Sequence, residues 1–256
     1  MSSFQDKVVL ITGATSGIGK AAALAFAREG AKVVVSGRRD AEGNAVVGEI
    51  GRMGGKATFL RADVTRESDI KALVDKTVAT YGRLDVAFNN AGIEGRVGVQ
   101  TAEQTVEDYR QMFDINVGGM LFAMKHEIAA MLKTGGGAIV NTASVFSQIG
   151  MPGMALYTAA KHAIVGLTRA AALEYVKQGI RINAVSPGGV ETEMFVRCAG
   201  TPEENTPGRQ LFTSFNPLGR TSRPEEQVAA VMFLASDKAS FVNGANLAVD
   251  SGWSIA

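Results

Sequence analysis

Cysteine and histidine are scarce in this 256-residue chain, which has one cysteine, Cys198, and two histidines. A single cysteine excludes an intramolecular disulfide. No His, Asp or Glu cluster has metal-ligand spacing, so we expect no metal site. Charge of one sign is lacking too, because 26 Lys and Arg nearly balance 25 Asp and Glu. This balance argues against nucleic acid and membrane surfaces as partners.

Long hydrophobic runs are also absent from the sequence. No stretch approaches the roughly 18 uncharged apolar residues of a membrane span. The first seven residues, Met1-Ser2-Ser3-Phe4-Gln5-Asp6-Lys7, show no signal-peptide pattern. We find no low-complexity segment and no repeat of solenoid period. These features predict a protein of a reducing compartment, most simply the cytoplasm.

Glycine, by contrast, is abundant, with 30 residues in 256. The share is well above the roughly 7% that is usual, and no G-X-Y period explains it. We therefore expect the glycines in tight turns and close backbone approaches. Hydrophobic residues make up 46% and charged residues 20%, which is typical of a globular chain with one substantial core.

Short β-branched runs alternate with longer helical patterns along the chain. The predicted strands are Val8–Ile11, Val33–Val35, Ala57–Leu60, Val86–Phe88, Ala138–Asn141, Ile180–Val185 and Asn246–Val249. The predicted helices are Ile18–Arg28, Ala41–Arg52, Glu67–Tyr81, Val106–Leu132, Ala155–Val176 and Glu225–Ala235. This alternation predicts one doubly wound α/β domain over residues 1–256, with a seven-stranded parallel sheet covered by helices on both faces.

One region, Glu191–Arg223, breaks this alternation with three prolines and no strand pattern. Ligands of this fold bind beyond the carboxyl ends of the strands, so we interpret the region as an inserted substrate lid. Apolar side chains from the lid and from the fifth strand's end are expected to wall a mostly apolar pocket. They are Met194, Phe195, Leu211, Phe212, Phe215, Val145, Phe146, Met151 and Met154.

A glycine-rich turn follows the first predicted strand, with the sequence Thr12-Gly13-Ala14-Thr15-Ser16-Gly17-Ile18-Gly19. Gly13 suits a sharp turn, Gly17 a close approach to a pyrophosphate, and Gly19 close helix–strand packing. Free N–H groups at the start of the next helix would face the phosphates. The strand before the turn and the helix after it favour a dinucleotide site over an ordinary βα turn.

The spacing of this turn, G-x-x-x-G-x-G after a threonine, resembles that of the short-chain dehydrogenase/reductase family. Further matching motifs follow in order: Asp63-Val64, Asn89-Asn90-Ala91-Gly92, Asn116, Ser144, Tyr157-x-x-x-Lys161, Pro187-Gly188 and Thr192. The resemblance runs from Lys7 to Trp253 and is strongest to glucose 1-dehydrogenase-like and 3-oxoacyl-[acyl-carrier-protein] reductase-like members. It implies an NAD(P)-dependent enzyme that interconverts a secondary alcohol and a ketone by hydride transfer.

The resemblance also assigns the cofactor contacts, with Asp63 at the adenine. The expected cofactor-binding residues are Gly13, Thr15, Ser16, Gly17, Ile18, Gly19, Arg38, Arg39, Asp63, Val64, Asn90, Ala91, Gly92, Tyr157, Lys161, Pro187, Gly188, Val190 and Thr192. The family further implies a homotetramer. The helices Val106–Leu132 and Ala155–Val176 would pack against partner copies, and Trp253, the only tryptophan, would suit a further interface.

Ser144, Tyr157 and Lys161 form the predicted catalytic set. Tyr157 and Lys161 are four residues apart, so they share one helix face. Tyr157 would be the general acid in reduction and the base in oxidation, and Ser144 would hydrogen-bond the substrate oxygen. Lowering a tyrosine pKa from about 10 to about 7 takes about 4 kcal/mol. A cation at about 4 Å would supply an effect of that size; Lys161 is one such cation, and the oxidised nicotinamide ring is another.

Other polar residues near these motifs leave alternatives open. By resemblance, Asn116 would order a water in a proton relay; otherwise it is a buried Asn that bonds a backbone carbonyl. His126 is expected at the surface, and His162 packed or exposed. Glu94 is expected to pair with Arg96 or to be exposed, with contact to a polar substrate as the other interpretation.

The residues after the second strand, Gly37-Arg38-Arg39-Asp40, bear on cofactor choice. An acid at the Gly37 position would select NAD, and basic residues accommodate the 2′-phosphate of NADP. The two arginines therefore favour NADP(H), with NAD(H) as the alternative. Asp40 is expected to be the N-cap of the next helix.

Two classes of function follow from these patterns. The first is an alcohol/ketone oxidoreductase, either a 3-oxoacyl thioester reductase or a sugar or diol dehydrogenase. The second is a dinucleotide-binding regulatory or structural protein without turnover. Such proteins usually lose the Ser, Tyr or Lys, whereas this chain keeps all three.

Overall fold

The computed structural model describes residues 4–256, in which seven strands alternate with nine α-helices. The three residues before them, part of the segment inspected for a leader, lie outside the described residues. The strands are β1 (Val8–Thr12), β2 (Lys32–Gly37), β3 (Lys56–Arg61), β4 (Val86–Asn89), β5 (Gly137–Thr142), β6 (Ile180–Pro187) and β7 (Asn246–Val249). The helices are α1 (Gly17–Arg28), α2 (Asp40–Arg52), α3 (Glu67–Tyr81), α4 (Val106–Phe113), α5 (Gly119–Leu132), α6 (Ala155–Tyr175), α7 (Glu193–Ala199), α8 (Pro207–Ser214) and α9 (Pro224–Ala235).

All seven strands form one parallel sheet in the order β3-β2-β1-β4-β5-β6-β7. The predicted doubly wound α/β fold is therefore confirmed. Strands β2 and β3 are added on one side of β1, and β4 to β7 are added on the other, so the strand order reverses between β1 and β4. At this point Thr12 is in register with Asn89. This switch point brings the glycine turn beside the Asn89-Asn90-Ala91-Gly92 segment at the carboxyl edge.

The sheet is buried on both faces because its central strands are largely apolar. In β1, Val9 and Ile11 belong to the core under α1, α2 and α9, whereas Leu10 belongs to the core under α3, α5 and α6. Side chains of a strand alternate between faces, so a continuous apolar run serves two helical layers. Within residues 4–256, no helix combines the length and apolar character needed to cross a bilayer.

The prediction of one helix over Val106–Leu132 is wrong in one respect: the structure divides this range into α4, a π-helical turn and α5. A π-helical turn, Asp114–Gly118, separates α4 from α5. Here the side chain of Asn116 bonds the backbone of Ile93 on a neighbouring segment. Such turns are rare inside helices and occur often at functional sites.

The predicted insertion Glu191–Arg223 holds the short helices α7 and α8. It lies after β6, at the edge of the sheet where the glycine turn also lies. The segment forms no named strand, and an isolated parallel bridge between Val190 and Ser222 closes it at its base.

Candidate active site

The glycine turn packs tightly against the segment that follows β4. Gly13 has a positive φ of 64°, and a Cβ there would lie 2.8 Å from the Cα of Ala91. A Cβ on Gly19 would lie 2.3 Å from the carbonyl oxygen of Gly13. Asn90 Nδ2 donates to that same carbonyl at 3.1 Å. Only glycine fits these two positions without a shift of backbone.

Helix α1 begins at Gly17 with its amino end open to a cavity. The side chain of Ser16, the residue before the helix, makes no cap hydrogen bond to it. The Ser16 hydroxyl instead accepts from Arg39 Nη2 at 2.7 Å. Uncapped N–H groups and the positive end of the helix dipole suit an anion such as a pyrophosphate.

A cavity of about 500 Å³ runs along the carboxyl edge of the sheet. It brings together almost all the residues predicted from the motifs. The predicted residues that line it are Gly13, Thr15, Ser16, Gly17, Ile18, Arg38, Arg39, Asp63, Val64, Asn90, Ala91, Gly92, Ser144, Tyr157, Lys161, Pro187, Gly188, Val190 and Thr192. Gly19 and Asn116 are not among the lining residues, and both instead contact residues that are.

Ser144, Tyr157 and Lys161 meet at the middle of this cavity. Ser144 follows β5, and its Oγ accepts from Phe146 N at 3.3 Å. Tyr157 and Lys161 are one turn apart in α6, and Lys161 Nζ lies 5.4 Å from the centre of the Tyr157 ring. Lys161 Nζ also donates to the carbonyl of Thr142, the last residue of β5, at 2.8 Å. The lysine is thereby fixed beneath the tyrosine.

The pKa values of this group differ from the prediction. Burial raises the pKa of Tyr157 to about 12; the hydrogen bond with Ser144 acts in the opposite direction. Burial also lowers the pKa of Lys161 to about 7. The predicted fall of the tyrosine pKa is thus wrong for the protein alone. The prediction counted the attraction of a nearby cation and omitted desolvation, which disfavours both charged forms.

Asn116 fastens the end of the Asn89–Gly92 segment to the π-helical turn. Its Oδ1 accepts from Ile93 N at 2.8 Å, and its Nδ2 donates to Ile93 O at 2.9 Å. A Cβ on Gly92 would lie 3.0 Å from Asn116 Oδ1 and 3.9 Å from Lys161 Nζ. This matches the alternative of a buried Asn bonded to backbone. The proton-relay role remains a prediction.

A buried polar network behind the site was missed by the sequence reasoning. Asn89 Nδ2 donates to Glu127 Oε2 at 2.9 Å and to Asn141 Oδ1 at 3.1 Å, and Asn141 Nδ2 donates to Thr168 Oγ1 at 2.9 Å. Glu127 is only 1% exposed, and burial raises its pKa to about 7. One signal was available, since Glu127 shares the helical stripe of the buried Met124.

The histidines contribute no chemistry to the cavity. His126, expected at the surface, has a side chain only 15% exposed that contacts Glu67 at 3.2 Å. That expectation was wrong because α5 packs beside α3, which Glu67 begins. His162 is exposed, with Nδ1 at 2.9 Å from the Thr158 carbonyl. Within the described range, no group of His, Cys, Asp or Glu is arranged to hold a metal ion.

Beyond Ser144, the cavity has an aromatic wall. Trp253 stacks on Phe215 with ring centres 5.2 Å apart, and it meets the edges of Phe146 and Phe212. The expectation of Trp253 at a subunit interface is wrong, because this cluster buries it within its own chain to 8% exposure. Leu211, which was predicted to wall the pocket, is not among the lining residues and is 48% exposed.

The remaining predicted wall residues divide into two groups. Those that line the cavity are Val145, Phe146, Met154, Met194, Phe195 and Phe212. Met151 and Phe215 pack against the cluster around Trp253. The wall therefore combines the end of β5, the start of α6 and both helices of the insertion.

Ion pairs at the cavity rim differ from those expected from sequence proximity. Glu94 pairs with Arg197 of α7 through two hydrogen bonds of 2.7 and 3.1 Å. Arg96, its expected partner, pairs with Asp108 at 2.9 Å. The pairing was missed because Glu94 and Arg197 are 103 residues apart. Cys198, beside Arg197, lines the cavity, and burial raises its pKa to about 11.

The adenosine side of the cavity carries a second correction. Asp40 is the first residue of α2, and Arg39 occupies the N-cap position without a side-chain cap bond. Asp40 therefore does not act as the predicted N-cap. Its carboxylate lies 3.5 Å from Arg61 Nε.

Comparison with known proteins gives consistent matches over nearly the whole chain. A family model described as enoyl-(acyl carrier protein) reductase matches residues 13–254. The chain is 46% identical over 255 residues to 2,5-dichloro-2,5-cyclohexadiene-1,4-diol dehydrogenase of Sphingobium indicum, covering 99% of each chain. It is 44% identical over 252 residues to cyclohexanol dehydrogenase of an Acinetobacter strain, covering 98% of this chain and 96% of the relative.

Solved structures agree with these sequence matches. The crystal structure of levodione reductase superposes with a TM-score of 0.93 and 38% sequence identity, covering 99% of both chains. The similarity thus extends over the sheet, the flanking helices and the insertion.

Proposed function

This chain belongs to the short-chain dehydrogenase/reductase family and is an NAD(P)-dependent alcohol/ketone oxidoreductase, and from that premise we propose that it interconverts a cyclic secondary alcohol and its ketone, preferring NADP(H). The observation that carries the substrate class is the aromatic and aliphatic wall beside Ser144 and Tyr157. Two relatives named above act on six-membered ring alcohols, as their names state.

The cavity fits a dinucleotide. The open amino end of α1 and the glycine turn suit the pyrophosphate, Asp63 and Val64 line the adenine side, and the nicotinamide would lie toward Tyr157 and Lys161. Bound there, a nicotinamide supplies or accepts the hydride. Lys161, held by the Thr142 carbonyl, would bind the nicotinamide ribose.

Ser144 and Tyr157 would both act on the substrate oxygen, Ser144 by a hydrogen bond and Tyr157 by proton transfer. Ser144 donates a hydrogen bond to that oxygen and stabilises the charge that grows on it. In reduction Tyr157 gives its proton to the same oxygen, and its raised pKa keeps the hydroxyl protonated at neutral pH. In oxidation Tyr157 accepts the proton, which positive charge close to the ring would favour. The apolar wall excludes water from both steps.

The NADP(H) preference is supported by the end of β2. A Cβ on Gly37 would lie 2.8 Å from Thr15 Cγ2, so an acid has little room there. The Arg38 side chain lines the cavity and makes no hydrogen bond or ion pair with any residue from 4 to 256. A guanidinium in this state is available to bind a 2′-phosphate. NAD(H) is the alternative cofactor.

The substrate proposal is tested with alcohols of equal carbon number. Cyclohexanol, cyclohexane-1,4-diol and hexan-2-ol would be assayed with both cofactors, and a 3-oxoacyl thioester would be assayed in the reductive direction. We expect kcat/KM for the ring alcohols to exceed that for hexan-2-ol by at least about tenfold, since one or two misplaced methylenes in an apolar pocket are worth that much. Equal activity on hexan-2-ol, or higher activity on the thioester, contradicts the proposal.

We further propose that Glu191–Arg223 closes over bound ligands as a lid. The segment supplies Met194, Phe195 and Phe212 to the wall, and its helices are short. Hydrogen exchange across this segment should slow when cofactor and substrate bind. Equal exchange with and without ligands would contradict a lid.

A cytoplasmic homotetramer is the assembly and location that we propose. Large apolar side chains stand exposed on the helices expected to meet partner copies, among them Leu121 on α5 and Leu173 on α6, which is 80% exposed. Such side chains suit burial against another copy. Sedimentation that shows a monomer at micromolar concentration would refute the tetramer, and fractionation of cells tests the location.

A further inference from the structure

Two neighbouring arginines follow β2, and they differ in their partners. Arg39 turns its guanidinium back over the glycine turn, where Nη2 donates to Ser16 Oγ at 2.7 Å and to Thr15 Oγ1 at 3.0 Å. Its Nη1 donates to the carboxylate of Glu193 at 2.9 Å. Arg38, by contrast, has no such partner among residues 4–256. One guanidinium at the adenosine end is therefore available and the other is occupied.

Glu193 occupies the nitrogen of Arg39 that a phosphate would need. Arg39 and Glu193 both line the cavity. A guanidinium binds phosphate best through two parallel N–H bonds. With Nη2 directed at Ser16 and Thr15 and Nη1 at Glu193, a phosphate would have to displace the carboxylate. Displaced but still near, the carboxylate would repel the phosphate.

Glu193 is also part of the lid. It is the first residue of α7, and the next two residues, Met194 and Phe195, line the cavity. The far end of the same helix is held by the pair of Arg197 with Glu94. Helix α7 is thus fastened at one end to the adenosine side and at the other end to the substrate side.

We propose that Glu193 is a nucleotide-specificity residue, whose carboxylate competes with the 2′-phosphate of NADP(H) for Arg39. The competition lowers the affinity for NADP(H) relative to NAD(H). When the phosphate displaces Glu193 from Arg39, the first turn of α7 loses this ion pair. This inference rests on the proposed function, because it needs the adenosine to lie beside Arg38 and Arg39.

The test uses two ligands that differ only in the 2′-phosphate, adenosine 2′,5′-bisphosphate and adenosine 5′-monophosphate. Calorimetry on the full chain would compare the wild type with Glu193→Gln, which keeps the size of the side chain and removes its charge. We expect the affinity for the bisphosphate to rise about three- to tenfold, the range for loss of one exposed charge beside a dianion. The affinity for the monophosphate should stay within about twofold.

Glu203→Gln is the matched control. Glu203 lies in the same insertion, is exposed and has no contact with Arg39. It carries the same charge change, so it separates a local competition from a change in overall field. We expect this variant to leave the ratio of the two affinities as in the wild type.

Three results would overturn the inference: an unchanged ratio in Glu193→Gln, an equal rise for both ligands, or a fall in affinity for the bisphosphate. The last would show that Glu193 holds Arg39 in place for the phosphate. The wild-type ratio tests the proposed cofactor preference separately. A wild type that favours the monophosphate contradicts that preference, whereas the change caused by Glu193→Gln still decides the role of Glu193.

Discussion

The two ends of the cavity use charge in opposite ways. At the catalytic end, Lys161 and Tyr157 are enclosed, and burial moves both pKa values toward the neutral forms. At the adenosine end, Arg39 and Glu193 are about half exposed and are joined by an ion pair. At the catalytic end, burial therefore sets the pKa values of Tyr157 and Lys161. At the adenosine end, what matters is whether Arg39 pairs with Glu193 or with a phosphate, which bears on nucleotide specificity.

The largest expected effect is a loss of turnover on mutation at the catalytic end of the cavity. Tyr157→Phe removes the transferable proton and leaves the ring, so kcat should fall by at least about 10²-fold. Cofactor affinity, measured by calorimetry, should change far less than kcat, because the glycine turn, Lys161 and the other expected cofactor contacts are kept. Tyr109→Phe is the matched control, since Tyr109 is half exposed on α4 and stacks on Phe113 outside the cavity. Near-normal turnover of Tyr157→Phe on its best substrate would refute the assigned role.

A smaller effect is expected at the exposed end. Arg38→Ala should lower kcat/KM with NADPH by about tenfold, because a charge-assisted bond to phosphate contributes about 1.5 kcal/mol or more. The value with NADH should remain near that of the wild type and serves as the internal control. A wild type that already favours NADH by tenfold or more, or an Arg38→Ala variant that loses both cofactors equally, would contradict the assignment.

An effect on stability rather than on activity tests the enclosure of Glu127. Glu127 has a pKa of about 7 in the folded protein, above its ordinary value of 4.5. The folded state therefore holds its proton more strongly, and the stability that this contributes is lost as pH rises from about 4.5 through 7. Glu127→Gln lacks this loss. The free energy of unfolding of Glu127→Gln minus that of the wild type should therefore increase by about 1–3 kcal/mol from pH 5 to pH 8.

Denaturant unfolding at several pH values measures this difference. Other groups that titrate in the same range, Lys161 among them, are present in both proteins and cancel in the comparison. Glu107→Gln, an exposed change on α4, should show no such trend. If the difference between Glu127→Gln and the wild type does not vary with pH, the carboxyl is not protonated by burial.

The sequence predicted the parts of the molecule that are local. Strand and helix patterns, the glycine turn and the order of the motifs follow from residues close in the chain. They located the sheet, and nearly all of the residues predicted from the motifs line the cavity. Contacts between distant segments were not predictable in this way. Glu94 bonds Arg197 because the insertion folds back over the sheet edge, and Trp253 meets Phe146 because the segment after β7 lies beside the end of β5.

Electrostatics failed for a related reason. The pKa of Tyr157 depends on how completely other segments surround it, and no motif spacing reports that enclosure. An estimate from nearby cations that left out desolvation therefore gave the wrong direction for the protein alone. The same applies to Glu127, whose burial raises its pKa to about 7 and which no motif singled out.

The π-helical turn Asp114–Gly118 makes the site sensitive to chain length. One residue added to or removed from a helix rotates everything after it by about 100°. Shortening this turn to an ordinary α-helical one would swing Glu127 away from Asn89 and Met124 away from Asn141, which it now contacts. The π-helical turn thus sets the rotation of α5 about its axis relative to α4, and this rotation directs Glu127 and Met124 toward β4 and β5.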